Sequence, residues 1–315
     1  MSGLILSEPT QFYKAIVSGN VIPGDTLYLR GGTYRGDWVL DIYGTAEAPI
    51  TINPYNGEPV TIDGTFDFGT SEHVKVLDVN FTNSNPDRTL WDTGITMNNA
   101  GDWLIGCDIY DMHSDGVNWF GSGIGGVVEC RISNCGSEAP SYVNDWGHGI
   151  YTHNNGGGLR TIARNLILPQ IGRYGIHIYS ESANYLRDYL VEDNVNLHPV
   201  HTGGGQGLTN FVYQNNVSSG VYEQHGRYSQ QANNTATIQN NILIGLSNYY
   251  VESGWVLLTE TGNTVWNGEP DERIGYTLEA MPENWSRLIP FTMSNRWSGI
   301  QCNIVNSVFS AEIIV

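Results

Sequence analysis

The chain has 315 residues, with 14 basic side chains against 32 acidic ones and a formal net charge of −18. That charge repels nucleic acid and anionic membrane surfaces, and no apolar run reaches the roughly 20 residues of a membrane-spanning helix, so neither nucleic acid binding nor membrane insertion is expected. With 38 glycines and only 15% charged residues, the composition is that of a turn-rich β protein rather than a helical or disordered one.

From the N-terminus, residues 7–20 read as a short amphipathic helix. Ser7 caps it, Pro9 is tolerated in its first turn, Gly19 ends it, and Phe12, Ala15 and Ile16 share one face. Such a helix would cover the open end of the strands that follow. Strand-like alternation begins with Thr26-Leu27-Tyr28-Leu29-Arg30, Ile50-Thr51-Ile52-Asn53 and Val60-Thr61-Ile62-Asp63. A polar residue followed at once by an apolar one then recurs at Asn80-Phe81, Asp108-Ile109, Arg131-Ile132, Asn165-Leu166, Asn194-Val195, Asn216-Val217 and Asn241-Ile242, at intervals of 22 to 34 residues. Spacings in this range mark stacked repeats, and Asn amides at equivalent turns can bond one another from coil to coil. Beyond Asn263-Thr264 the periodicity fades. Leu278 to Trp285 is expected as a helical turn and Gln301-Cys302-Asn303-Ile304-Val305 as a last strand. One elongated domain spanning 1–315 is expected, with regular coils over 24–266 and a C-terminal cap over 267–315.

Cys107 and Cys130 each precede a repeat position, so they should stack on neighbouring coils about 4.8 Å apart. That spacing permits a disulfide, but small apolar groups suit such positions and packed thiols are the preferred reading. The start, Met1-Ser2-Gly3-Leu4, lacks the basic and apolar regions of a signal peptide. A mature extracellular protein or a virion part is expected.

The stretches Pro23-Gly24-Asp25-Thr26-Leu27-Tyr28-Leu29-Arg30-Gly31-Gly32-Thr33-Tyr34, Ala48-Pro49-Ile50-Thr51-Ile52 and Val60-Thr61-Ile62-Asp63-Gly64 resemble the opening coils of the pectin-lyase-like superfamily, with the alginate lyase and chondroitinase B group nearest in character. Together with the repeats, the resemblance covers residues 7–266. It implies an all-β fold, a single-stranded right-handed parallel β-helix (solenoid) with a short N-terminal helical cap. It also implies a polysaccharide or oligosaccharide partner and a monomer or homotrimer.

A second phrase locates an outward face. Gly94-Ile95-Thr96-Met97-Asn98, Gly116-Val117-Asn118-Trp119-Phe120, Gly149-Ile150-Tyr151-Thr152-His153 and Gly175-Ile176-His177-Ile178-Tyr179 should be neighbouring strands of one sheet. If the residue after each Gly points inward, alternation sends out two columns: Thr96, Asn118, Tyr151, His177, and Asn98, Phe120, His153, Tyr179. Flanking positions add His113, Asp115, Asp145, His148, Arg173 and Glu181. Long turns, Ser133 to Gly147 and Ser182 to Arg187, would wall a groove.

Three readings follow. A hydrolase needs a carboxylic acid and a carboxylate, for which Asp115 and Asp145 are the pair. Ser114-Asp115-Gly116, Gly147-His148-Gly149 and Arg173-Tyr174 resemble the polygalacturonase pattern, but no adjacent Asp-Asp pair occurs and no Lys follows Arg173. A lyase needs a base for the proton alpha to a uronate carboxylate and a cation beside that carboxylate. The Lys and Arg pair with calcium known from the alginate lyase and chondroitinase B group does not carry over, because Lys14 and Lys75 are the only lysines and lie outside the cluster. His177 or Tyr179 as base with Arg173 as neutraliser remains, and Asp108, Asp111 and Asp115 are candidate oxygen ligands for Ca2+. His148, His153 and His177 are assigned proton transfer or positioning, and Asn118, Phe120, Tyr151, Tyr179 and Glu181 sugar contacts. The third reading is a non-catalytic glycan-binding module of a phage tailspike or surface adhesin, in which Trp38, Trp91, Trp103, Trp119 and Trp146 are candidate sugar platforms.

Overall fold

A computed structural model of the chain describes residues 3–17, 19–88, 92–136, 147–168, 171–180, 185–196, 198, 200–204, 207–218, 221–224, 234–244, 255–266, 300–305 and 308–313. The strands of the repeats wind into three parallel sheets of 11, 10 and 8 described strands, the complete coils contributing one strand to each sheet in turn. The expected parallel β-helix is therefore the observed fold. The two columns that alternation assigns to the interior of the first and third sheets are apolar throughout. In the first sheet Leu27, Ile52, Val76, Leu104, Val127, Ile162 and Val191 stack in register and are all buried. In the third, Trp38, Phe66, Ile95, Val117, Ile150, Ile176 and Val200 do the same.

The helical cap spans Pro9–Val17, shorter at both ends than expected, with Phe12, Ala15 and Ile16 buried as the periodicity predicts. The Gln11 side chain reaches back to accept the Ser7 backbone N–H at 2.8 Å. Phe12 packs its ring on Tyr34 and Trp38 of the first coil, at centroid distances of 6.0 and 5.0 Å. A strand not anticipated from the sequence, Gly3–Leu6, precedes the helix and pairs in parallel with Thr26–Leu29. At the other end Ile300–Val305 is a strand, but it pairs antiparallel with Val308–Ile313 in a separate two-stranded sheet rather than extending the coils. The turn expected from Leu278 to Trp285 lies outside the described residues.

The amide ladder is present and runs through one corner of the interior, between the first and second sheets. Asn165, Asn194, Asn216, Asn241 and Asn263 each offer Oδ1 to the residue one coil before. The backbone N–H and Nδ2 of Asn194, for example, both donate to Asn216 Oδ1 at 2.9 Å. The other amide hydrogen of each Asn bonds a main-chain carbonyl of the preceding coil, as Asn165 Nδ2 does to Val127 O at 2.8 Å and Asn194 Nδ2 to Ile162 O at 2.9 Å. In the earlier coils, however, the polar–apolar phrase is displaced by one residue. Arg131 pairs with Leu166, not with Asn165, and Asp108 and Asn80 continue Arg131's column. The corner position in those coils is held by Cys130, Cys107 and Val79.

The reason for the displacement is chemical. The corner has room for one small side chain, and a thiol can make a weaker version of the amide's contacts. Cys130 N–H donates to Asn165 Oδ1 at 2.9 Å, while its Sγ lies 3.7 Å from Leu104 O, the carbonyl equivalent to the one that Asn165 Nδ2 reaches. Cys107 Sγ is likewise 3.6 Å from Val76 O. Cys107, Cys130 and Cys135 are free, buried thiols, and burial pushes the Cys130 thiol up.

A second polar group is buried without a charged partner. Asp102 begins a first-sheet strand facing inward, is fully buried, and accepts the Val74 N–H at 3.2 Å through Oδ1. Burial pushes its carboxyl up to about 8.

Two outcomes follow. Asn194→Ala strands the Asn165 N–H and Ile162 C=O in the interior, and should destabilise the protein by about 3 kcal/mol in urea unfolding. Because the Asp102 carboxyl ionises near pH 8 when folded but near 3.9 when unfolded, the folded state holds the extra proton between these values, so stability falls as pH rises through that window. Asp102→Asn should remove this slope, and its thermal midpoint should gain on the parent's as pH is raised toward 8.

Candidate functional site

The third sheet carries the titratable cluster. Its strands begin after Gly94, Gly116, Gly149 and Gly175, and a side chain is excluded there because successive coils approach too closely. A Cβ at Gly149 would stand 2.5 Å from Gly175 O, and one at Gly116 would stand 2.8 Å from Gly149 O. The register is the expected one. Thr96, Asn118, Tyr151 and His177 are consecutive partners, with Met97, Trp119, Thr152 and Ile178 buried beneath. The column continues to His201, which the sequence reading missed because its strand, Val200–Gly204, lacks the leading Gly of the phrase.

His177 is the hub of the cluster. The rings of His148, His201, Tyr151, Tyr174 and Tyr179 have centroids 4.3, 4.8, 4.9, 5.0 and 5.0 Å from its own. Tyr174 was also missed. It lies in the turn before the strand, stacked at 12° on His201, and the Arg173 guanidinium sits 4.8 Å over its ring. His177 is only 6% exposed, and neither Nδ1 nor Nε2 bonds any described residue. Burial holds this imidazole well below the usual histidine range, and His148, His201 and Arg173 push in the same direction. At neutral pH it is an uncharged base.

The aromatic contacts also change how sugars could be met. Tyr151 and His177 stand on consecutive coils with planes 18° apart, so their faces are occupied by each other along the helix axis. What this column presents outward is ring edges, where hydroxyl and imidazole nitrogen atoms sit, rather than stacking faces.

Asp115 and His148 form a buried pair. Asp115 Oδ1 accepts both the His148 backbone N–H and, at 2.8 Å, its Nδ1. An ionised carboxylate can only accept, so Nδ1 carries the proton and Nε2 is left as the basic nitrogen. That nitrogen bonds no described residue. The arrangement gives Asp115 the part of orienting His148. Its proposed partner Asp145 and the contact residue Glu181 lie outside the described residues. Gly136 and Gly147, both with positive φ, abut so closely that a Cβ on Gly136 would meet Gly147 Cα at 2.1 Å. Gly172 packs on the same two glycines, so that Gly147 and Gly172, the chain neighbours of His148 and Arg173, lie together.

His153 and Phe120 occupy the second column, with rings 4.5 Å apart. Burial first, and then Arg160, push His153 down to about 4. Arg160 is entirely buried beneath them. It donates to the carbonyls of Trp119, Phe120 and Gly121 and to Thr152 Oγ1, and lies 4.4 Å over the Trp119 ring. It thereby pins the ends of the two strands that carry Phe120 and His153. Asn118 is half-buried in the outward column, between Thr96 and Tyr151.

Other expected roles are relocated. Asp108 and Asp111 belong to a second-sheet strand, where Asp108 Oδ1 lies 3.6 Å from Arg131 Nε and Asp111 Oδ1 accepts Asn134 Nδ2 at 2.5 Å. Asp115 is engaged with His148, so the three carboxylates do not converge on a cation. No group of three or more His, Cys, Asp or Glu poised to hold a metal occurs among the described residues. Trp38 and Trp119 are buried core residues, and Trp103 lies on the first sheet against Gly126, where a Cβ would be 2.2 Å from its ring. Trp91 and Trp146 lie outside the described residues.

No protein-family model and no curated protein matches the chain. Solved structures do. An alginate lyase from Paenibacillus sp. str. FPU-7 superposes with a TM-score of 0.60 at 18% identity, over 84% of this chain and 95% of that one. An arginine-to-alanine mutant of a PL6-family alginate lyase, AlyGC, gives 0.48 at 18% identity over 87% of this chain and 42% of that one. The Dettilon tailspike protein gives 0.41 at 15% identity, over 83% and 61%. At these identities the likeness is one of fold, and the fold it supports is the parallel β-helix traced above.

Proposed function

We propose that the third-sheet face binds an acidic polysaccharide and cleaves it by elimination at the His177 level. The observation that carries the reading is His177 itself, a buried, uncharged imidazole whose two nitrogens bond no described residue, ringed by tyrosines and close to an arginine. A buried polar group without a partner is costly, and a substrate hydrogen would supply one. That an alginate lyase shares this fold agrees with the substrate class.

In the proposed step Arg173 pairs with the carboxylate of a uronate unit, which acidifies the carbon alpha to it. His177 removes the proton from that carbon. The electron pair forms the new carbon–carbon double bond as the bond from the adjacent carbon to the glycosidic oxygen breaks, and that oxygen takes a proton from the Tyr179 hydroxyl. The products are an unsaturated sugar end and a new free end. Binding of the anionic unit beside His177 favours its protonated form, so a base that rests well below its ordinary range is brought toward it when substrate arrives. His148, oriented by Asp115, stands 4.3 Å from His177 between ring centroids and is placed to relay the proton away.

The experiment is a screen of the protein against neutral and acidic polysaccharides, reading ultraviolet absorbance for the unsaturated product and reducing ends for any cleavage. Absorbance supports elimination. Reducing ends without absorbance point to hydrolysis, and glycan binding without either supports the tailspike or adhesin module. His177→Gln should lower kcat by roughly 10²–10⁴-fold while oligosaccharide affinity persists. The acid limb of the kcat/KM profile should lie below the ordinary histidine value of about 6.5. Since Arg173 is one of the charges that depress His177, Arg173→Gln should move that limb upward.

A further inference from the structure

The face that carries the cluster changes character along the helix axis. Its outward positions, in register from the N-terminal coil, are Val39, Asp67, Thr96, Asn118, Tyr151, His177 and His201. In the coil of Val39, Asp37 and Asp41 are exposed on either side of it. Three carboxylates thus occupy the first two coils of the same face.

Their hydrogen-bond partners are neutral. Asp37 Oδ1 accepts the Thr65 N–H and hydroxyl at 3.1 and 2.9 Å, Asp41 Oδ1 accepts the Tyr43 hydroxyl at 2.8 Å, and Asp67 Oδ1 accepts the Gly69 N–H at 2.7 Å. Arg35, just before this strand, is directed to Asp63 at 3.2 Å. The charges of Asp37, Asp41 and Asp67 therefore remain to act on whatever lies over the face.

Distance decides where they act. Coils are about 4.8 Å apart, so Asp67 stands about 14 Å from the Tyr151 level and about 19 Å from His177. Both exceed the Debye length of about 8 Å at physiological salt, and an anion held by Arg173 in the cluster is screened from Asp67. The Thr96 level is one coil from Asp67 and the Asn118 level two, about 5 and 10 Å, and no such screening protects an anion at the nearer of them. A pyranose unit is about as long as one coil is tall, so an oligosaccharide lying along the axis places one unit on each level.

We infer that this face carries a charge boundary, admitting acidic sugars at the Tyr151, His177 and His201 levels and an uncharged unit at the Thr96 level beside Asp67. The substrate class is then a polymer in which uronates are separated by neutral sugars, rather than an uninterrupted polyuronate. The inference rests on the elimination reading above and makes it narrower. It also accords with the net charge of −18, which opposes a continuous polyanion at long range.

The test uses two oligosaccharide probes of equal length: oligomannuronate, with a carboxylate on every unit, and a hyaluronan fragment, whose uronates alternate with N-acetylated neutral sugars. Affinity is read by calorimetry and turnover by ultraviolet absorbance, for the parent and for the triple variant Asp37→Asn, Asp41→Asn, Asp67→Asn. Asn keeps each acceptor oxygen, and thermal midpoints check that the fold is retained. The parent should favour the alternating probe, the triple variant should narrow that preference by roughly three- to tenfold, and about 0.5 M salt should narrow it likewise. Equal affinities in the parent, or a preference that the variant leaves unchanged, overturn the boundary while elimination stands. Binding with the expected preference but no unsaturated product overturns elimination and supports the boundary, and failure to bind either probe overturns both.

Discussion

Everything in this molecule depends on the coils stacking in strict parallel register, and the corner between the first and second sheets is where that register is held most firmly. From Asn165 to Asn241 each amide bonds the main chain of one neighbouring coil and the amide of the next, so a slip by one residue would break the bonds of every coil in the column. Apolar stacks alone would tolerate exchange between similar side chains. A directional amide does not, because its donor and acceptor must both be met in a region without water. The register in turn decides that Tyr151, His177 and His201 fall on one line.

Within the cluster, burial outweighs attraction. His177 is surrounded by polar rings, yet its strongest influence is removal from water, reinforced by two neighbouring histidines and an arginine. Asp115 could offset this only for the ring it touches, and it is used up on His148. Two imidazoles in contact therefore have different tasks prepared for them. One has its proton placed by a carboxylate, and the other is uncharged with both nitrogens available. Arg160 supports the arrangement from below, because a guanidinium that satisfies three carbonyls at one strand end and the Thr152 hydroxyl on the next holds both at once.

Charge acts at two ranges. Over the whole surface the acidic excess opposes polyanions at long range, while over single coil heights the proposed boundary would sort which unit of a polymer rests where. The same screening that makes a distant carboxylate irrelevant to Arg173 leaves a near one able to act on its own coil level. A solenoid suits this division, since its face is a ruler with one position per coil.

The sequence by itself determined the repeat, the inward columns and the four strands headed by glycine, because each of these follows from periodicity, and the resemblance carried by its opening coils implied the class of fold. It also placed Phe12, Ala15 and Ile16 against the core. The true ladder register was not legible in it, since Asp108-Ile109 and Asn165-Leu166 show the same polar–apolar phrase although they sit one residue apart in the coil. Nor could it show that Tyr174 and His201 complete the ring around His177, that Asp115 turns to His148, or that Asp108 turns away to Arg131. Those outcomes belong to the tertiary structure, because turns of unequal length separate the coils and only backbone pairing across them decides which side chains become neighbours, how deeply they are buried and, through burial, what charge they carry.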